Sequence, residues 1–334
     1  MLFRSVSQSR YSNIMQQFLT RRCAAALFSH GDDTLLVYID GDDVIMMESD
    51  LSSCDRSLTK KSLTFERDLI NFCLTCAGSD PKFRRANQVA FNLNFAERRI
   101  DDLRVSLDGD AQRPTGCTRT SLMNTVLTAY PMLKYHFDTH RSDWVRLLDY
   151  NPEPYSAYYK AHGFDAKIKM HRGSRHNFPT GSFLKGVWLH TDCDTIAWTR
   201  LPSMAIKMFK TLKPLPTLTK KYRKEKVALP EARRRYCVMI ASSWRHFDLP
   251  LGIREWVDKW ADKDTNLPLL PTGSRVESGG VVRYTFRNQR ALIALAEHYH
   301  VDVDMYVDWS LKFMDLKPGQ GHCHPMWIAL GADY

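Results

Sequence analysis

Ser29-His30-Gly31-Asp32-Asp33-Thr34-Leu35-Leu36-Val37-Tyr38-Ile39-Asp40-Gly41-Asp42-Asp43-Val44-Ile45-Met46-Met47-Glu48-Ser49-Asp50-Leu51 carries most of the structural information in this chain of 334 residues. Short apolar runs, Leu35–Ile39 and Val44–Met47, lie on either side of Asp40-Gly41-Asp42-Asp43, and a third, Cys23–Phe28, precedes the stretch. Runs of this length bounded by Gly and Asp read as strands, and Gly followed by Asp suits the centre of a two-residue hairpin. The pattern predicts three consecutive antiparallel strands across 23–50, with turns at Gly31–Asp33 and Gly41–Asp42. A two-residue turn at Gly41-Asp42 sets Asp33 across the ladder from Asp50, with Cβ atoms roughly 5 Å apart. Like charges that close repel unless something positive holds them, and a pair of divalent cations about 3.5–4 Å apart suits such a cluster. Gly41-Asp42-Asp43 reads as turn chemistry only.

Downstream, Arg113-Pro114-Thr115-Gly116-Cys117-Thr118-Arg119-Thr120-Ser121-Leu122-Met123-Asn124-Thr125 has a Gly-x3-Thr-x3-Asn spacing. Thr120 and Asn124, four apart, share one face of a helix, and Gly116 loosens the backbone ahead of it. With this third element the chain resembles the RNA-dependent RNA polymerases of RNA viruses. Their palm motif A, Asp-x4-Asp, is matched by Asp50 and Asp55. Motif B is matched by Gly116, Thr120 and Asn124, and motif C, Gly-Asp-Asp, by Gly31, Asp32 and Asp33. The order is C-A-B, similar to the permuted palms of permutotetraviruses and, with an altered motif C, birnaviruses. A palm pairs the motif A strand with the second strand of the motif C hairpin, so the short turn Asp40–Asp43 can join them. Tyr155–His162 reads as a helix. Gly163–Lys169 is similar to motif D, and Phe178–Trp188 to motif E.

The resemblance implies an α+β fold: a palm of antiparallel sheet with helices on one face across 1–212, including partial fingers, and a mainly helical thumb-like region across 213–334. It implies RNA-directed RNA polymerase activity by two-metal nucleotidyl transfer. Asp32, Asp33 and Asp50 would bind two Mg²⁺ (or Mn²⁺) ions. Asp55 and Asn124 would recognise the ribose 2′-hydroxyl, with Gly116 and Thr120 shaping the nucleotide site. Lys167 or Lys169 would protonate pyrophosphate. The implied partners are an RNA template and nascent strand, nucleoside triphosphates, and a fingers-bearing polypeptide or other viral replicase proteins. The implied location is host cytoplasm, including membrane-associated replication complexes. Residues 1–22 are few for a fingers region, so the chain is expected to be the palm–thumb part of a larger or divided enzyme.

Composition fits a polyanionic partner. Lys plus Arg number 47 against 37 acidic residues, a net charge of +10, while acidic residues crowd into 31–55. The run Lys220–Lys226 and the triplet Arg233–Arg235 suit a nucleic-acid path or a solvated face, and Pro214 and Pro216 place a boundary near 212–230. Cys73-x2-Cys76 and His322-Cys323-His324 have metal-like local spacing but lack a second half, so Cys73 and Cys76, in a probable helix Leu63–Cys76, read as buried structural thiols. No apolar run reaches the ~20 residues that span a bilayer. Two alternatives stand beside the polymerase: a catalytically inactive RNA-binding palm, and a metal-dependent nuclease or phosphohydrolase, which leaves Gly116–Asn124 unexplained.

Overall fold

The structure, a computed structural model, describes residues 8–20, 25–51, 58–92, 98–100, 105–107, 120–140, 152–204, 228–245, 247–261 and 284–331. Asp55, Gly116 and the expected boundary at 212/213 lie outside them. The chain is α+β. In order it forms α1 (Gln8–Thr20), β1 (Ala25–His30), β2 (Asp33–Asp40), β3 (Asp43–Leu51), α2 (Lys60–Cys76) and α3 (Pro81–Asn92). Next come β4 (Arg98–Ile100), β5 (Val105–Leu107), α4 (Thr120–His140), α5 (Pro152–Ala161), β6 (Ala166–Ser174), β7 (Gly186–His190) and β8 (Ile196–Arg200). The helices α6 (Leu229–Trp244), α7 (Ile253–Trp260), α8 (Gln289–His298), α9 (Val303–Met314) and α10 (Met326–Gly331) follow. Among the described residues, no helix is long and apolar enough to cross a membrane.

Two compact units emerge from the packing. One comprises 24–41 with 45–172, and the other comprises 1–23, 42–44 and 173–334. The strands expected across 23–50 are present as β1–β3, and β6 completes an antiparallel sheet of order β1-β2-β3-β6. β1 and β2 pair from Ala25 with Tyr38 to His30 with Asp33. Side chains alternate across a sheet, and the face carrying Leu36, Met47, Leu51 and Ala166 joins a core with Leu63, Leu127, Met132, Tyr155, Tyr159 and Phe164. α4 and α5 therefore lie on this face, α4 against β1 and β2. The apolar residues of α4 recur at helical spacing (Met123, Leu127) to meet the sheet. Phe28, Leu35, Val37 and Met46, on the other face, are also buried.

α2 is opened by a capping box, with Thr59 Oγ1 accepting from the Ser62 amide at 3.2 Å. Cys73 and Cys76 correct the expectation of buried thiols, since both are exposed and unbridged. Helix α2 buries Leu63 and Glu66 in its first two turns, and its last turns project outward.

In the second unit α1 lies on the β7–β8 hairpin. Ser12 Oγ accepts from the Trp198 amide at 2.9 Å, and Trp188 Nε1 donates to the Tyr11 carbonyl at 3.3 Å. A Cβ on Gly186 would run into the Trp198 ring, which occupies the space any side chain would need. A core of Val187, Leu189, Tyr236, Ile240, Trp256, Leu295, Tyr306, Trp309 and Phe313 unites the hairpin with α6–α10. Beyond residue 227 every described regular element is helical.

Candidate active site

The turn joining β1 to β2 consists of Gly31 and Asp32, since His30 pairs directly with Asp33. Gly31 has φ of 65°, and a two-residue hairpin of the II′ kind needs that conformation at its first position. Asp32 stands exposed in the turn, and Asp33 opens β2 half-buried. The turn is held from the helix side. Thr125 Oγ1 accepts from the Gly31 amide at 2.7 Å, and Thr128 Oγ1 lies 3.2 Å from the Gly31 carbonyl, to which it donates. Ser29 Oγ donates to the Thr125 carbonyl at 3.3 Å. Both backbone groups of Gly31 thus meet side chains one turn apart on α4, an arrangement open to Thr at positions i and i+3.

Asn124, next to Thr125, is buried. Thr120 is the first residue of α4, and Asp50 lies exposed near the end of β3. Behind Thr128, Tyr159 donates its hydroxyl to the Thr128 carbonyl at 2.9 Å. Burial pushes the Tyr159 phenol above its usual range, so it remains a protonated donor.

β2 ends at Asp40 and β3 begins at Asp43, so Gly41-Asp42 is a second two-residue turn, again with positive φ, 59°, at its glycine. Counting outward from it brings Asp33 level with Asp50. β6 extends the count. The Arg175 amide bonds to the Asp42 carbonyl at 3.0 Å, and Lys169 Nζ lies 3.5 Å from Glu48 Oε1. Asp42 to Glu48 and Arg175 to Lys169 are equal steps in opposite directions, so both contacts belong to one antiparallel register. Two residues further along it, Asp50 is level with Lys167.

One row across the end of the sheet therefore reads His30, Asp33, Asp50, Lys167, two carboxylates between a histidine and a lysine. Thr34, adjacent to Asp33, turns its hydroxyl toward Ser29 on the α4 side, at 3.5 Å. By alternation the charged row emerges on the opposite face. One rung in, buried Glu48 meets Lys169 and His171 Nε2, the latter at 3.2 Å.

The structure thus brings Asp32, Asp33, Asp50 and Lys167 to one end of the sheet and ties the α4 turn bearing Asn124 to that end. Lys169 is separated from this row by its contact with Glu48. Sequence reading missed Thr125, Thr128, Glu48 and His30. The available signal was Thr at 125 and 128 directly after Asn124, facing a glycine whose amide needed an acceptor.

The donors suit a hard cation, because carboxylate oxygens are what Mg²⁺ takes. Among the described residues no three His, Cys, Asp or Glu side chains gather to hold a metal ion.

A scan against protein-family models finds no match for the chain, and a search of curated proteins finds none either.

Proposed function

We propose that the chain is an RNA-directed RNA polymerase, its palm permuted so that the Gly31–Asp33 turn precedes the Asp50 strand, and that it works as the palm–thumb part of a larger or divided enzyme in viral RNA replication. The observation that carries this reading is the clamp of Thr125 and Thr128 on Gly31, which couples the acidic turn to the helix bearing Asn124.

In this reading Asp33 and Asp50, with Asp32 beside them, would hold Mg²⁺, which would supply positive charge to the triphosphate and to the attacking 3′-hydroxyl. Thr125 and Thr128 fix the height of the turn, so that Asp32 and Asp33 keep their position as substrate arrives. Asn124 and Asp55 read the ribose 2′-hydroxyl, which donates as well as accepts. Lys167, in the row with Asp50, is the better placed of the two lysines to hand a proton to the leaving pyrophosphate. Gly116 and Thr120 shape the approach to Asn124. The partners are RNA, nucleoside triphosphates and a fingers-bearing polypeptide or other replicase proteins, in host cytoplasm.

The test is Mg²⁺-dependent ribonucleotide incorporation on a primed RNA template, with any fingers-bearing partner supplied. Asp50→Asn should abolish it without changing the melting temperature, and incorporation unaffected by Asp50→Asn would overturn the reading. A second reading, an RNA-binding palm without catalysis, draws on Lys167, which stands beside Asp50 in the row and supplies compensating charge itself. Magnesium-independent RNA binding with no incorporation under any condition would select it. A nuclease would cleave the template instead.

A further inference from the structure

The triplet Arg233-Arg234-Arg235 is sorted by the helix that carries it. Arg234 and Arg235 stand three and four residues after Glu231 on α6, and both reach its carboxylate. Arg234 Nε and Nη2 donate at 2.7 and 2.8 Å, and Arg235 Nε at 2.9 Å. Their hydrogen bonds hold the Glu231 carboxyl down to about 2. Arg233, only two residues beyond Glu231, lies off that face of the helix. It is exposed and, among the described residues, has no carboxylate partner.

Arg233 borders the loop that follows α9. That loop closes on itself, with the Gln320 amide donating to the Lys317 carbonyl at 2.9 Å and the Lys317 amide to Gln320 Oε1 at 3.1 Å. Gly319, at φ 84°, brings the loop backbone beside the Arg233 stem: a Cβ built on it would sit 3.6 Å from Arg233 Cβ. Between loop and helix lies a cavity of about 460 Å³ lined by Pro230, Arg233, Lys317, Pro318, Gly319 and Gln320. Lys317 is also exposed and without a carboxylate partner among the described residues.

Among the described residues the cavity therefore holds two cations without a carboxylate partner, and no carboxylate or aromatic ring lines it. Its volume falls in the range of small-ligand sites, roughly 300–1,000 Å³. A guanidinium fork and an ammonium point charge together match a phosphate, whose several oxygens can accept from both. With no ring among its described residues to stack a base, such a site reads backbone and not sequence.

We propose that this cavity binds a phosphate group, carried by single-stranded RNA or by a free nucleotide. The proposal does not rest on the polymerase reading, and it concerns RNA affinity where that reading concerns incorporation.

The test uses the full chain and a fluorescein-labelled uridine dodecamer, followed by anisotropy at several salt concentrations. Arg233→Ala and Lys317→Ala should each weaken binding about five-fold and reduce the slope of log affinity against log salt by about 0.7, one phosphate contact on a single strand. Arg233→Lys, which keeps the charge and loses the fork, should keep the wild-type salt slope and weaken binding less than Arg233→Ala does. Lys259→Ala removes a cation of the same unit that already faces Asp315 at 3.4 Å, and should change affinity by less than about two-fold.

Calorimetry with ATP separates the sources. Loss of ATP binding in Arg233→Ala with RNA affinity intact assigns the site to free nucleotide, and the reverse assigns it to the RNA backbone. The proposal fails if Arg233→Ala changes neither ligand more than Lys259→Ala does. It also fails if polyglutamate competes with RNA as well as pyrophosphate does at equal ionic strength, because the site would then not select phosphate.

Discussion

Strand β2 has a Gly-Asp turn at each end, and the two are locally alike. Gly31 and Gly41 carry φ of 65° and 59°, and neither has an atom within 4 Å of where a Cβ would stand. In each, one aspartate occupies the turn and the next opens a strand. Even the like-charge argument applies twice, because Asp40 and Asp43 flank the second turn as Asp33 and Asp50 face each other near the first. Asp40 and Asp43 are exposed, and two charges roughly 5 Å apart in water repel by only about 1 kcal/mol, which needs no cation to offset it. The distinction comes from what touches the turns. Thr125 and Thr128 grip both backbone groups of Gly31, whereas the described bond at Asp42 is to the amide of Arg175 at the end of β6. A tripeptide sets turn geometry, and the proposed function assigns chemistry to the turn that α4 side chains hold.

The largest expected effect breaks or sustains that distinction directly. Asp32→Ala, Asp33→Ala and Asp50→Ala should each lower Mg²⁺-dependent incorporation by about 10²–10³-fold, the scale for losing one preorganised electrostatic group. Asp42→Ala and Asp43→Ala should stay within about two-fold, as surface changes do. Equal damage at the two turns in single-turnover assays would erase the comparison.

Thr125→Val tests the clamp itself. It leaves the Gly31 amide without its acceptor and should cost about 1–3 kcal/mol in urea unfolding. Incorporation should fall roughly ten- to a hundred-fold through misplacement of the turn, with Thr125→Ser restoring both. A stability loss with no change in incorporation would make the clamp purely structural.

Asn124→Ala should erode the preference for ribo- over deoxyribonucleotides by about ten-fold, one lost hydrogen bond to the 2′-hydroxyl, while the Mg²⁺ dependence stays put. The readout is single-nucleotide incorporation with each sugar alongside Mg²⁺ titration. An unchanged sugar preference would return Asn124 to the interior of the fold.

The smallest effect is on stability alone. Gly31→Ala and Gly41→Ala place a Cβ on left-handed backbone in open space, and each should cost roughly 1–2 kcal/mol. Matching shifts in thermal melts would establish the turns as conformational equivalents, and a much larger loss at Gly31 would mean that the clamp cannot tolerate any adjustment of the turn.

Much of the first unit could be read from the chain because its periodicities are local. The apolar runs Leu35–Ile39 and Val44–Met47, the two Gly-Asp pairs and the spacing from Thr120 to Asn124 each act over a few residues, and the strands and helix fall there. The helix expected across Tyr155–His162 is present as Pro152–Ala161. Burial was less legible. Cys73 and Cys76 sit in an amphipathic helix whose far end projects outward, which no pattern within α2 reveals.

By itself, the sequence determined the hairpins, their register and the basic balance of the chain, because backbone sterics at glycine and alternation along a strand depend on nearest neighbours. The tertiary structure alone decided that α4 lies under the first turn and that Glu48 meets His171 and Lys169. Each of these joins groups whose proximity follows from how helices and sheet bury their apolar faces together. β3 offers Glu48 no hint of β6. The packing of the whole unit makes the choice, since it fixes which polar groups share a surface and which are left to face a cavity.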